Sequence, residues 1–130
     1  MILFCDGASR GNPGPGAFGY VIFKDGDLVA QDGKRIGTVT NNIAEYQGLL
    51  NGLKRCLELG GSHVTVKSDS ELMVRQLNGI YKVRAPQLQP LFANAQNLIK
   101  KFKKVEIVHV RREENELADA LCNDALDRHW

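Results

Sequence analysis

Residues 1–26 read MILFCDGASRGNPGPGAFGYVIFKDG, and their pattern sets the fold. ILFC (2–5) is a short apolar run ahead of a turn, the mark of a buried strand. FGYVIFK (18–24) is β-branched and aromatic, a second strand. Asp25-Gly26 is a tight hairpin signal. It predicts a third strand over 27–36, antiparallel to the second. GPGAFG (14–19) has the spacing of a dinucleotide-binding turn, but that turn must open a helix. YVIFKDG opens a strand and a hairpin instead, so these glycines are expected to let a substrate approach the backbone.

Asn41-Asn42 then opens a helix over about 43–59. Ala44, Leu50, Leu53 and Leu57 fall at helical spacing, and Gly60-Gly61 ends it. Val64 and Val66 mark a fourth strand. Ser70 caps a short helix to about Asn78. Pro86 is placed near the first turn of another, running to about Phe102. VEIVHV (105–110) alternates as a strand. Residues 114–127 form a last helix with Leu117, Ala118, Leu121, Cys122 and Ala125 as its apolar stripe. The order β-β-β-α-β-α-α-β-α predicts an α/β fold. Its five-stranded mixed sheet has three antiparallel and two parallel strands, flanked by helices. Ligand sites in such sheets lie outside the carboxyl ends of the parallel strands.

No repeat or linker divides the 130 residues, so 1–130 is expected to be a single domain. At 43% hydrophobic and 25% charged it has an ordinary soluble composition. No apolar run is long enough to span a membrane. The N-terminus lacks the features of a secretory signal, so a cytoplasmic location is expected. Cys5, Cys56 and Cys122 are far apart, without metal or disulfide spacing. A net charge of +2 is weak support for a nucleic-acid partner. Lys100, Lys101, Lys103 and Lys104 read as a helix end complementing its dipole; Lys82 and Arg84 are a second basic pair.

Four acids stand out. Asp6 follows the first strand, where a turn aspartate could satisfy its own backbone. Glu45 competes as a capping-box acid, three residues after Asn42. Asp69 ends the fourth strand, which the topology sets beside the first; parallel neighbours lie about 5 Å apart. Asp119 flanks the stripe of the last helix, where a surface aspartate is ordinary. Together, four acids around one strand end suit Mg²⁺, a hard cation held by carboxylates and substrate phosphates. Two such ions about 4 Å apart can clamp a phosphoryl displacement.

DGASRGNPGPGAFG (6–19), TNNIAEYQGL (40–49), VKSDSELMV (66–74) and HVRREENELADAL (109–121) together resemble ribonuclease H type 1. The resemblance covers essentially the whole chain. NGIYKVRAPQLQPL (78–91) is similar to the compact bacterial and archaeal form without the basic protrusion.

The resemblance implies a ribonuclease H-like fold and an endonuclease that hydrolyses the RNA strand of RNA–DNA hybrids. It implies that Asp6, Glu45, Asp69 and Asp119 hold two Mg²⁺ ions, replaceable by Mn²⁺. Asp6 would bridge both, with Glu45 and Asp69 on the water side and Asp119 on the leaving-group side. Products would carry 5′-phosphate and 3′-hydroxyl ends. Asn12, Asn41 and Asn42 match positions that contact the hybrid near its 2′-hydroxyls. His109 or Arg111 stands where many members carry a mobile histidine for product release or proton transfer. The expected partner is the hybrid alone, bound by a monomer with no obligate protein partner. The alternatives are a non-catalytic hybrid-binding module and another two-metal nuclease of the superfamily.

Overall fold

The computed structural model describes residues 1–128. The strands and helices are β1 (Ile2–Ser9), β2 (Gly14–Lys24), β3 (Asp27–Val39), α1 (Asn41–Glu58), β4 (His63–Ser68), α2 (Glu71–Leu77), α3 (Gln89–Ile99), β5 (Lys104–His109) and α4 (Glu116–Asp127). A 3-10 turn at Arg112–Glu114 precedes α4. The five strands lie in the order β3-β2-β1-β4-β5. β2 pairs antiparallel with β1 and β3, while β4 pairs parallel with β1 and β5. The expected mixed sheet is therefore present, with β1 at its centre. Among the described residues no helix is long and apolar enough to cross a membrane.

Side chains alternate along a strand, so each face of the sheet collects its own helices. Leu3 and Cys5 of β1 and Phe18, Tyr20 and Ile22 of β2 share a buried cluster with Leu49, Leu50, Leu53 and Cys56 of α1. Ala95 and Leu98 of α3 join the same cluster. On the other face, Ala17 packs with Cys122, Ala125 and Leu126 of α4, and Ala8 lies against them. The far end of α4 is held further: Arg10 pairs with Asp127 and reaches the Leu126 carbonyl at 3.5 Å. Arg35 donates to the Arg128 carbonyl at 3.0 Å.

Asp25 and Gly26 both take positive φ, 52° and 84°, which makes the β2–β3 hairpin turn. Gly60 and Gly61 close α1 by hydrogen bonds to Leu57 and Cys56, and Ser70 caps α2 as expected.

Four details correct the sequence reading. β1 does not stop at Cys5; its ladder with β2 continues through Asp6↔Gly19 to Ser9↔Gly16, so Asp6 lies inside the strand. α1 is capped by Thr40, whose Oγ1 accepts the Ile43 N–H at 3.3 Å, not by Asn42. Glu45 is then the fifth helical residue and is no capping-box acid. α3 begins at Gln89 with Pro90, rather than Pro86, in its first turn, and ends at Ile99. The lysines at 100–104 thus follow the helix. Finally, Leu117 is 57% exposed instead of part of the core stripe, because α4 turns Ala118, Cys122, Ala125 and Leu126 to the sheet.

Candidate active site

A close approach of α1 to β1 builds the site. A Cβ on Gly48 would lie 2.5 Å from the Asp6 carbonyl oxygen, and one on Gly7 would strike the Ala44 carbonyl and the Glu45 amide. Only hydrogen at both positions lets the helix lie this close. Glu45 is thereby carried over the middle of β1 beside Asp6, and Asp69 enters from just beyond the end of β4. One carboxylate oxygen from each of Asp6, Glu45 and Asp69 lies within 4.8 Å of the other two. Asp119, in the first turn of α4, stands outside that triad, its carboxyl placed to hydrogen-bond that of Asp6 when one of the two holds a proton. Asn123 bonds to Asp119 at 3.3 Å, and Arg112 pairs with it at 3.9 Å.

Buried like charges raise carboxyl pKa values. Burial, then the charge of Asp69 and the hydrogen bond to Asp119, pushes Asp6 up to about 8. Burial, then the charges of Asp6 and Asp69, holds Glu45 well above the ordinary carboxylate range. Glu45 Oε2 is buried with no hydrogen-bond partner among the described residues. Leaving a buried acceptor unpaired is costly, and a cation would relieve both the orphaned oxygen and the repulsion. The donors are all carboxylate oxygens, which fits a hard divalent ion.

The three asparagines gather where α1 begins. Asn12 Oδ1 accepts the Asn41 N–H at 3.1 Å, and Asn41 Oδ1 accepts the Ser9 N–H at 2.8 Å. Asn12, Asn41 and Asn42 are all exposed. His109 is the last residue of β5, in register with Ser68 and so one residue short of Asp69 along the neighbouring strand. Arg111 opens the 3-10 turn, its N–H donating to Glu114 Oε1 at 3.3 Å. Both side chains are exposed. The sequence reading passed over Asn115, which is 1% exposed and bonds to Cys5 and Asp69. Within ENELADAL it looks like an ordinary helix-opening residue, and no local pattern signals its burial.

Fold and acidic cluster together define a class, since a family profile described as reverse transcriptase-like matches residues 4–125. The ribonuclease HI of Halobacterium salinarum is 43% identical over 125 residues, 95% of this chain and 63% of the relative. The crystal structure of ribonuclease H1 from that organism has a TM-score of 0.94 and 42% identity, covering 97% of this chain and 96% of that one. A bifunctional protein of Mycobacterium tuberculosis is 40% identical over 129 residues, 98% of this chain but 35% of the relative. Its N-terminal ribonuclease H domain, solved as a fusion, has a TM-score of 0.94 at 41% identity, covering 97% of this chain and 92% of that one. LC11 ribonuclease H1, from a compost metagenome, was solved with an RNA/DNA hybrid. It has a TM-score of 0.91 at 39% identity, covering 97% of this chain and 96% of that one.

This chain belongs to the ribonuclease H type 1 family. It has the compact form, with only residues 78–88 between α2 and α3. It spans about a third of the mycobacterial relative and under two thirds of the halobacterial one.

Proposed function

We propose that this chain hydrolyses the RNA strand of RNA–DNA hybrids, using two divalent ions and leaving 5′-phosphate and 3′-hydroxyl ends. The carrying observation is the packing of Asp6, Glu45 and Asp69 within 4.8 Å, with Asp119 beside Asp6. Membership of the ribonuclease H family and the LC11 complex with an RNA/DNA hybrid support the reading. The four acids would hold the ions, Mg²⁺ with Mn²⁺ as substitute. When bound, such a pair activates water as nucleophile and stabilises the leaving oxygen.

The chain's own contribution is placement. Asp6 is fixed by its strand ladder on β2, and Glu45 by the glycine contacts of α1. Asn12 Oδ1 holds the Asn41 N–H and Asn41 Oδ1 holds the Ser9 N–H, so the position of both side chains at the substrate surface is set in advance. An exposed amide both donates and accepts, as recognition of a 2′-hydroxyl requires.

A non-catalytic hybrid-binding module is the rival reading. It is disfavoured because four clustered acids cost stability and repel the phosphates of a substrate unless cations are present. Another two-metal nuclease would share the acids, and the asparagines at the α1 start favour the hybrid. Purified protein with Mg²⁺ or Mn²⁺ is expected to cut the RNA of an end-labelled hybrid and spare double-stranded DNA. An intact hybrid under both metals would overturn the proposal.

The family histidine position calls for a direct comparison. Arg111 follows the strand while His109 is still within it, so Arg111→Ala is expected to lower kcat several-fold with KM held. His109→Ala should leave kcat within about twofold on the same reading of kinetics. The reverse result assigns the role to His109, and no effect from either removes it.

A further inference from the structure

The parallel ladder between β1 and β4 runs Ile2↔Thr65, Leu3↔Val66, Phe4↔Lys67 and stops. Beyond it β1 stays paired to β2 as far as Ser9, and β4 to β5 as far as Ser68. The sheet therefore splays, and Asp6 and Asp69 stand on either side of the opening. The Asn115 side chain fills it. Its Nδ2 donates to the Cys5 carbonyl at 2.9 Å and to Asp69 Oδ1 at 3.4 Å, so its two N–H groups serve the two sides. Its backbone carbonyl accepts the Asp119 N–H at 3.1 Å. A single residue thus touches the peptide before Asp6, the side chain of Asp69 and the helical turn that carries Asp119.

The helix position strengthens the point. Asn115 is the N-cap of α4, where an asparagine oxygen ordinarily accepts a helical N–H. No such bond forms. Instead Oδ1 is buried with no partner among the described residues, an arrangement that costs stability. The amide has given up its capping role and turned its NH₂ toward a carbonyl and a carboxylate.

We propose that Asn115 is a positioning residue: it bridges the β1–β4 opening and holds the Asp69 carboxylate in the metal-binding cluster against the charges of Asp6 and Glu45. This rests on the metal-dependent cleavage proposed above. Asn115 touches no reacting atom, and it acts through Asp69 as hydrogen-bond partners act on metal ligands generally.

Asn115→Ala and wild type can be compared by calorimetric titration with Mn²⁺ alone, by hybrid binding in EDTA and by steady-state cleavage with Mg²⁺. Mn²⁺ affinity is expected to fall roughly 10–100-fold, and kcat by a similar factor. Hybrid affinity in EDTA should stay within about twofold, since Asn115 is buried away from the substrate surface. Mn²⁺ affinity and kcat both within about twofold of wild type, with only the melting temperature lowered, would overturn the proposal and leave a purely structural residue. If Asn115→Ala does not fold, Asn115→Leu fills the space without donors, and the same two readouts decide. A wild type that binds Mn²⁺ but leaves the hybrid intact overturns the cleavage reading, while the Mn²⁺ comparison still decides Asn115. A wild type that binds no Mn²⁺ overturns both.

Discussion

Asp6→Asn is expected to lower hybrid cleavage by at least about 10³-fold, the upper range for removing one preorganised electrostatic group. Asp6 is the group whose carboxyl both Asp69 and Asp119 act on. The same substitution should make the metal-free protein more stable at pH 8. In the folded protein the Asp6 carboxyl is raised to about 8 from an ordinary value of 3.8. Between these values the folded protein keeps a proton that the unfolded chain has released. Stability contributed by this group is therefore full below the unfolded value and falls as pH rises toward the folded one. Asparagine carries no charge and escapes that loss. In EDTA, the melting temperature of Asp6→Asn should exceed wild type by several degrees at pH 8 and converge with it near pH 4. Added Mg²⁺ should raise the wild-type value far more than the variant's. A variant that cuts at the wild-type rate, or melts lower than wild type at pH 8 in EDTA, would contradict the placement of Asp6 at the centre of the site.

Gly7→Ala should have the largest effect on the fold. The new methyl would collide with the backbone of Ala44 and Glu45. No side chain can rotate aside, so the helix itself has to move. Overpacking commonly costs about 1–3 kcal/mol and sometimes more, and a backbone–backbone collision belongs at the upper end. The displaced helix carries Glu45, so activity should fall further than the loss of folded protein explains. Gly26→Ala supplies the contrast. Gly26 has φ of 84° with nothing within 4 Å of an added Cβ, so only the conformational strain of about 1–2 kcal/mol applies. Urea midpoints and kcat on the folded fraction separate the two. Equal destabilisation by both substitutions would contradict the close β1–α1 contact.

What the sequence made legible was mostly local. Asp25-Gly26 fixes its hairpin because two residues decide a turn. Ser70 caps α2 with its own hydroxyl, and the leucines of α1 repeat at helical spacing. The end of β1 was illegible for the opposite reason. GASRGNPG has the composition of a loop, and residues 7–9 are strand only because residues 16–18 pair with them. The start of α1 was decided from outside the segment as well. Thr40, Asn41 and Asn42 are all competent caps. The Asn12 side chain takes the Asn41 N–H, and the Asn41 side chain is spent on Ser9. That leaves Thr40 as the cap and moves Glu45 out of the capping position. The four acids could be picked out from their motifs, whereas the glycine contact that delivers Glu45 and the buried amide of Asn115 are products of tertiary packing.

The anchoring of the last turn of α4 gives the site mechanical insulation. Asp119 rides on a helix whose opposite end is packed through Ala125 and Leu126 onto β1 and β2 and tied by Arg10 and Arg35. In the mycobacterial relative the ribonuclease H domain is N-terminal, so further chain follows the corresponding helix. Tension or tumbling transmitted from polypeptide attached after Arg128 would be absorbed at this mooring, about two helical turns before it could tilt Asp119. The same arrangement marks the position after Arg128 as a place to join a tether or a surface-immobilisation handle while the clustered carboxylates keep their alignment.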